Sequence, residues 1–253
     1  MLAVWPSAYP SEPILDVLTL NGAPGAYNKT LGSGIGINWV PSDSGLRVSL
    51  GTVAANGHLS DTEKGGLASA NASSSSTVQL GWDDDCWRVA ATYSLLQNGH
   101  ELIAYATPYS QSRFSETGLT HAIGLGGSWQ PRDSGWIPSF SVGWGINSSD
   151  NAGKGEIVKS QSWTVGLEWA DVLLDGNRLG LAVGQPVFAT TLRGATPEAD
   201  GPFIWEAWYQ WQLTDSISIT PAVFGLSRPL GGDTPSGKTL QQLGGLVKTT
   251  IRF

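Results

Sequence analysis

The chain has 253 residues, of which only 14% are charged, with 33 glycines, 12 tryptophans and a net charge of −7. An acidic chain without a cluster of Lys and Arg is not built for a phosphate backbone, so nucleic acid is excluded as a partner; the single Cys86 excludes an intramolecular disulfide framework and a multi-cysteine metal site. A mean hydropathy of −0.07 and the lack of any run of eighteen apolar residues exclude a spanning helix and leave strands as the only means of crossing a bilayer.

Residues 1–13 have no basic flank, apolar core or small-residue cleavage site, so they do not read as a signal peptide. A weak apolar segment, 14–20, reads as a first strand. Alternation of apolar and polar residues then predicts strands near 33–40, 45–53, 76–82, 86–95, 119–130 and 136–146, followed by 160–169, 178–186, 203–213, 216–227 and 243–253. The connections alternate in length. Short ones fall at 41–44, 83–85, 131–135, 170–177 and 214–215, and long ones at 54–75, 96–118, 147–159, 187–202 and 228–242. An antiparallel meander with short turns at one end and long loops at the other is the pattern of a bacterial transmembrane β-barrel, with the short turns periplasmic. The predicted fold is therefore all-β, a single up-and-down barrel domain over 1–253 with about 11–12 strands present.

The two faces follow from the two-residue period. Phe203, Trp205, Ala207, Tyr209, Trp211 and Leu213 form one apolar file, with Glu206, Gln210 and Gln212 between them. Trp87, Val89, Ala91, Tyr93 and Leu95 form another, as do Trp163, Val165, Leu167 and Trp169. The residues between the files are predicted to line a water-filled lumen: Arg47, Arg88, Thr92, Ser162, Thr164, Glu168, Arg178, Glu206, Gln210, Lys248 and Arg252. Water would solvate polar groups that a dry core leaves unpaired at a cost of roughly several kcal/mol each. Charges of both signs on that wall would either filter solutes or pair across strands. Trp39, Trp82, Trp87, Trp129, Trp136, Trp169 and Trp211 all lie near short turns and would form an aromatic girdle at one rim. The competing reading of these tryptophans is a β-sandwich core.

Among the loops, 97–118, the longest and carrying Tyr105, Tyr109, Arg113 and Glu116, is the candidate to fold inward as a constriction with its apolar run 102–106 on the inner wall. A hairpin extension above the membrane is an equal alternative. Pro138 and Pro221 fall inside strand patterns and predict bulges. His58, His100 and His121 lack ligand spacing, and Asp83, Asp84 and Asp85 read as a solvated turn tip. No nucleophile elbow, phosphate loop or HExxH is present, so neither an enzyme nor a cofactor or metal is expected.

The stretch FIWEAWYQWQLTDSISITPAVFGLSRPLGG with the terminal GGLVKTTIRF resembles the C-terminal end of cyanobacterial outer-membrane porins of the carbohydrate-selective porin superfamily, a group also described as iron-uptake porins. Units such as GSGIGINWVPSDSGLRVSLG and STVQLGWDDDCWRVAATYS resemble that family's hairpins, extending the likeness to most of the chain from residue 12. The resemblance implies a barrel of roughly sixteen strands, passive diffusion of small hydrophilic solutes (sugars or inorganic ions, including iron), an outer-membrane location and a homotrimer. It also implies that Val247, Ile251 and Phe253 form the terminal signal read by the outer-membrane insertion machinery, although Gly244 and Gly245 depart from the expected spacing. The family's signal peptide and surface-layer-homology domain have no counterpart in the sequence, and four or five N-terminal strands are unmatched, which reads as part of a larger porin. A soluble lectin-like β-sandwich whose tryptophans stack on sugars is the alternative from a different class, and an outer-membrane hydrolase is a third.

Overall fold

The computed structural model describes residues 2–7, 14–42, 44–99, 103, 105–133, 135–197 and 201–252. Eleven strands form one antiparallel sheet in which each strand bonds to its sequence neighbours: β1 (Ser33–Trp39), β2 (Leu46–Ala54), β3 (Ser74–Asp83), β4 (Trp87–Gln97), β5 (Leu119–Trp129), β6 (Ser139–Ser149), β7 (Ile157–Ala170), β8 (Arg178–Leu192), β9 (Phe203–Thr214), β10 (Ile217–Ser227) and β11 (Gln241–Ile251). The only α-helix among the described residues is the four-residue α1 (Pro108–Gln111). The eleven expected strands from 33 onward are all present. The connections alternate short and long as expected from β1 to β5 and from β7 to β11, but not in the middle, where 130–138 has nine residues and 150–156, like 171–177, has seven. There β6 starts and ends further along the chain, and β7 starts earlier, than the alternation marked. Among the described residues β1 bonds only to β2 and β11 only to β10, and every residue of β1 is exposed.

Three further expectations need correction. Residues 14–20 form no strand. Asp16–Thr19 is a single 3-10 turn, because Leu18 packs with Ile204, Trp208 and Ala222 on the inner face of the sheet instead of pairing along an edge. Strand β8 continues past Pro186 to Leu192. The register with β7 shifts between Gln161 and Trp163, opposite Phe188 and Gln185, and this irregularity accommodates the missing N–H of Pro186 without ending the strand. Pro138 precedes β6, while Pro221 sits inside β10 with its register kept on both flanks; the shift lies instead at Ile217/Ser218.

The alternation has the predicted sense. Trp87, Val89 and Tyr93 on β4 are exposed, whereas Ala90, Thr92 and Ser94 between them are buried. Aromatic rings also lie across the ladder on glycines of the neighbouring strand, covering backbone that a side chain would otherwise shield. Trp208 covers its register partner Gly180, where a Cβ would come within 2.2 Å of the indole. Phe224 covers Gly244 and Trp205 covers Gly225 in the same way. Replacing Gly180→Val is expected to expel the Trp208 ring and cost about 1–3 kcal/mol, the usual range for overpacking. The check is a lower thermal transition with loss of near-ultraviolet circular dichroism.

Candidate functional site: the inner wall and its cover

The register places the predicted lining residues on the face opposite the exposed Trp files. Arg88 pairs with Asp83 and Ser128, Thr92 with Gln79 and Gly124, Ser162 with Gly145, Thr164 with Gly143 and Gly184, and Glu168 with Gly180. Arg178 pairs with Gln210, Glu206 with Ala182 and Phe224, Lys248 with Thr220, and Arg47 with Gly81. Arg252 follows β11, where its N–H donates to the Ser216 carbonyl. The charged members of this wall gather toward the short turns. Arg88 donates to Asp83 at 3.1 Å, Arg178 faces Glu168 at 3.4 Å, and the Arg47 guanidinium donates to the Leu46 carbonyl at 2.9 Å. Glu206, in mid-strand, is the exception.

The inner wall is not an open, water-filled surface along its length. Residues 2–7 and 14–30 lie across it and cover Gln79, Thr92, Ser162 and Glu206, and Glu168 and Gln210 are buried as well, against Arg178 and Ser218. Polar groups that would otherwise need water are met by polypeptide backbone. Val4 donates its N–H to Gln79 Oε1 at 2.9 Å, and its carbonyl accepts from Gln79 Nε2 at 2.9 Å. The Ser162 hydroxyl donates to the Gly22 carbonyl at 2.8 Å, Ser94 donates to the Ala26 carbonyl at 2.8 Å, and Thr92 donates to the Tyr27 hydroxyl at 3.0 Å. Ile14 and Leu15 donate their N–H groups to the Glu206 carboxylate. The expectation of a wet wall at these positions is corrected by a segment that lies far away in sequence.

A trough of small residues admits that segment. Gly81, Ala90, Gly126, Gly143, Thr164 and Gly184 form one register row across β3 to β8. A Cβ on Gly143 would lie 1.7 Å from the Asn21 carbonyl oxygen, and one on Gly145 would lie 2.7 Å from the Ala23 Cα. The chain turns there through Asn21 at φ 50° and Gly22 at φ 64°, a left-handed pair that Gly and Asn adopt most readily.

Of the two readings of the loop after β4, the inward one holds. Ile103 and Ala106 are buried with Leu96, Val187 and Ala189; residues 102 and 104 lie outside the described residues. Ala106 bridges Val187 in parallel, with Thr107 donating to the Val187 carbonyl and Val187 donating to the Tyr105 carbonyl, both at 3.2 Å. Thr107 caps α1 by accepting from the Ser110 N–H at 3.1 Å.

The two covering pieces meet at a cluster that no sequence motif signals. Asp16 accepts from both Lys29 and Tyr105, and Lys29 donates to the Tyr105 hydroxyl at 2.9 Å. Tyr105 stands at φ 59°, a costly conformation for an aromatic residue. The Lys29 ammonium holds the Asp16 carboxyl below its usual range, and Asp16 raises Lys29 in return. The depressed carboxyl contributes stability above the ordinary carboxylate range and loses it as pH falls through its own, lower value; the raised ammonium contributes below the ordinary lysine range and loses it as pH rises through its own, higher one. The cluster is fully formed at neutral pH.

The remaining expectations find these places. Trp39, Trp82, Trp87, Trp136 and Trp211 are exposed, Trp129 and Trp169 are half-buried, and among the described residues Trp208 is the one buried tryptophan. Trp87 and Trp129 are register partners with ring centroids 6.3 Å apart. Val247 and Ile251 are exposed on β11, and Phe253 lies outside the described residues. Asp84 serves as a turn cap, accepting from the Cys86 and Trp87 N–H groups, which hold its carboxyl below the usual value. No group of His, Cys, Asp and Glu able to hold a metal occurs among the described residues. His121 contacts Tyr93 and Asp150 at 2.7 and 3.1 Å, and His100 lies outside the described residues.

No known family profile matches the chain. It is similar to the uncharacterized protein sll0772 of Synechocystis, with 31% identity over 129 residues, covering 47% of this chain and 23% of that protein. It is also similar to the uncharacterized protein alr4550 of Nostoc, with 28% identity over 146 residues, covering 57% of this chain and 24% of that protein. The matched stretches thus span about a quarter of each cyanobacterial relative.

Replacing Gln79→Leu is expected to leave the Val4 N–H and carbonyl buried without partners, destabilising the folded protein by about 1–3 kcal/mol. Denaturant unfolding checks the magnitude, and faster amide exchange at Val4 checks the location.

Proposed function

We propose that this chain is part of an outer-membrane porin through which small hydrophilic solutes diffuse passively. The observation that carries the reading is the inversion of the sheet. Ile35, Leu80 and Val223 are 74%, 55% and 49% exposed on one face, while Gln79, Glu206 and Gln210 are buried on the other. Apolar residues displayed along so many consecutive strands suit hydrocarbon and not water. The tryptophans near the short turns suit the headgroup level. A lectin-like sandwich would bury its large apolar residues between two sheets, whereas the described strands belong to one.

In lipid the free edges of β1 and β11 must be paired, and we assign that role to further strands of a barrel of roughly sixteen. The resemblance drawn from the last fifty residues favours sugars or inorganic ions, including iron, as solutes, a homotrimeric assembly, and recognition of the Val247, Ile251 and Phe253 end by the outer-membrane insertion machinery. No enzymatic step or cofactor belongs to this reading.

Substitution Val78→Lys separates membrane from water. Val78 is 45% exposed in mid-strand, so a soluble protein would tolerate the change within about 0.5 kcal/mol. A lipid-facing cation costs about 2–4 kcal/mol near the midplane. The expected outcome is loss of folded, heat-modifiable protein from the outer-membrane fraction, while wild-type protein in liposomes admits small sugars in a swelling assay. Normal yield of the variant together with wild-type liposomes closed to every sugar and ion would overturn the proposal.

A further inference from the structure

The segment 14–30 is held on the inner wall in an unusual manner. It adds no strand to the sheet, since every ladder runs between the eleven strands. Its polar ties run mostly from side chains of the wall to its backbone, through Ser94, Ser162 and Glu206, groups that water can solvate equally well once the segment leaves. The glycines beneath it give a smooth floor. Asn21 is buried there, yet its side-chain amide makes no hydrogen bond within the protein, a cost that leaving the trough would relieve. Beside the segment lies a cavity of about 480 Å³ bounded by Trp5, Tyr27, Lys29, Thr52 and Thr77, which offers room for movement. Apolar seats oppose release: Leu18 packs with Ile204 and Trp208, and Leu20, Ala23 and Ala26 pack with Ala122.

The balance of these terms is set at an exposed point. Asp16, 57% exposed at its side chain, and Lys29, 47% exposed, belong to the segment, and Tyr105 belongs to the inward loop. The cluster therefore ties the two pieces of polypeptide that cover the wall to each other. Lys29 also sits 5.2 Å from the Tyr105 ring centroid, close enough for a cation–π attraction. Breaking the cluster uncouples the segment from a loop that is itself anchored on β8 by the Ala106 to Val187 bridge.

We propose that residues 14–30 are a displaceable plug, latched to the inward loop by Asp16, Lys29 and Tyr105, and that opening the latch enlarges the solute path along the inner wall. The proposal rests on the channel reading above. The plug moves as a two-state element, and the latch biases it toward the seated state.

The test uses the full-length protein carrying Cys86→Ser and a reporter, Ala26→Cys, whose position is 2% exposed when the segment is seated. Two quantities are measured with and without Asp16→Asn: the rate of labelling by a water-soluble maleimide, and conductance in planar bilayers. A partly exposed ion pair sets the scale, so a two- to fivefold rise, roughly, is expected in both labelling rate and open-state occupancy. Tyr105→Phe, which removes a single O–H, provides a milder variant should Asp16→Asn fail to assemble, and the same two rises are expected of it. If wild-type protein conducts and the variants change neither quantity, the plug is a fixed part of the wall and the proposal is overturned, with the channel intact. Faster labelling with unchanged conductance likewise overturns the gate. If no form conducts, the channel reading itself fails and the gate falls with it.

Discussion

The structure depends on one constraint, which is that a sheet with an apolar outer face must dispose of a polar inner one. Along β4 the residues alternate strictly between exposed Trp87, Val89 and Tyr93 and buried Ala90, Thr92 and Ser94. Hydroxyls and amides on that second face cannot be left dry without partners. Water is one solution, and here a length of the protein's own backbone is another. Along the row from Gly81 to Gly184 the inner residues are small, so that a main chain, and not only side chains, can approach them.

Glycine therefore has two separate duties in this sheet. On the inner wall, Gly143 and Gly145 permit a crossing segment to come within backbone contact. On the same face, Gly180 and Gly244 instead receive the rings of Trp208 and Phe224 from the next strand. Both explain why 33 glycines are compatible with a regular sheet, although glycine in a strand weakens it when nothing packs on the vacant position. The charged residues show a comparable division. Arg88 and Asp83 stay near a short turn, where water reaches both, and the partly exposed Arg178 meets the buried Glu168 beside another, while buried Glu206 is met by the N–H groups of Ile14 and Leu15.

The sheet was legible in the sequence because it obeys local rules. Two-residue alternation and turn residues marked eleven strands, whereas the apolar 102–106 run left the loop after β4 open between an inward fold and a hairpin extension. The misread places are those where a distant partner decides the outcome. Ile14, Leu15, Val17 and Leu18 have the content of a strand but pack as a turn against β9 and β10, because Glu206, some 190 residues away, receives the backbone at that point. The alternation marked β8 only to residue 186, and the strand continues to Leu192 through a register shift in which two residues of β8, 186 and 187, stand opposite one of β7. The cover of the inner wall joins residues 75 and 140 positions apart, through Val4 with Gln79 and Gly22 with Ser162, and no local pattern encodes such pairs. Tyr105, Asp16 and Lys29 stayed hidden for the same reason.

The central claim, that the Trp-bearing face meets lipid and the polar face meets protein and lumen, is tested most directly by spin labels on consecutive positions of β4. Single cysteines at residues 89 to 94, in a Cys86→Ser background of the full-length protein in bilayers, report collision with lipid-soluble oxygen and with a water-soluble nickel complex. The account predicts a period of two, with high oxygen collision at Val89, Ala91 and Tyr93 and low at Ala90, Thr92 and Ser94. Dominant nickel collision at Val89, Ala91 and Tyr93 would place that face in water and contradict the account.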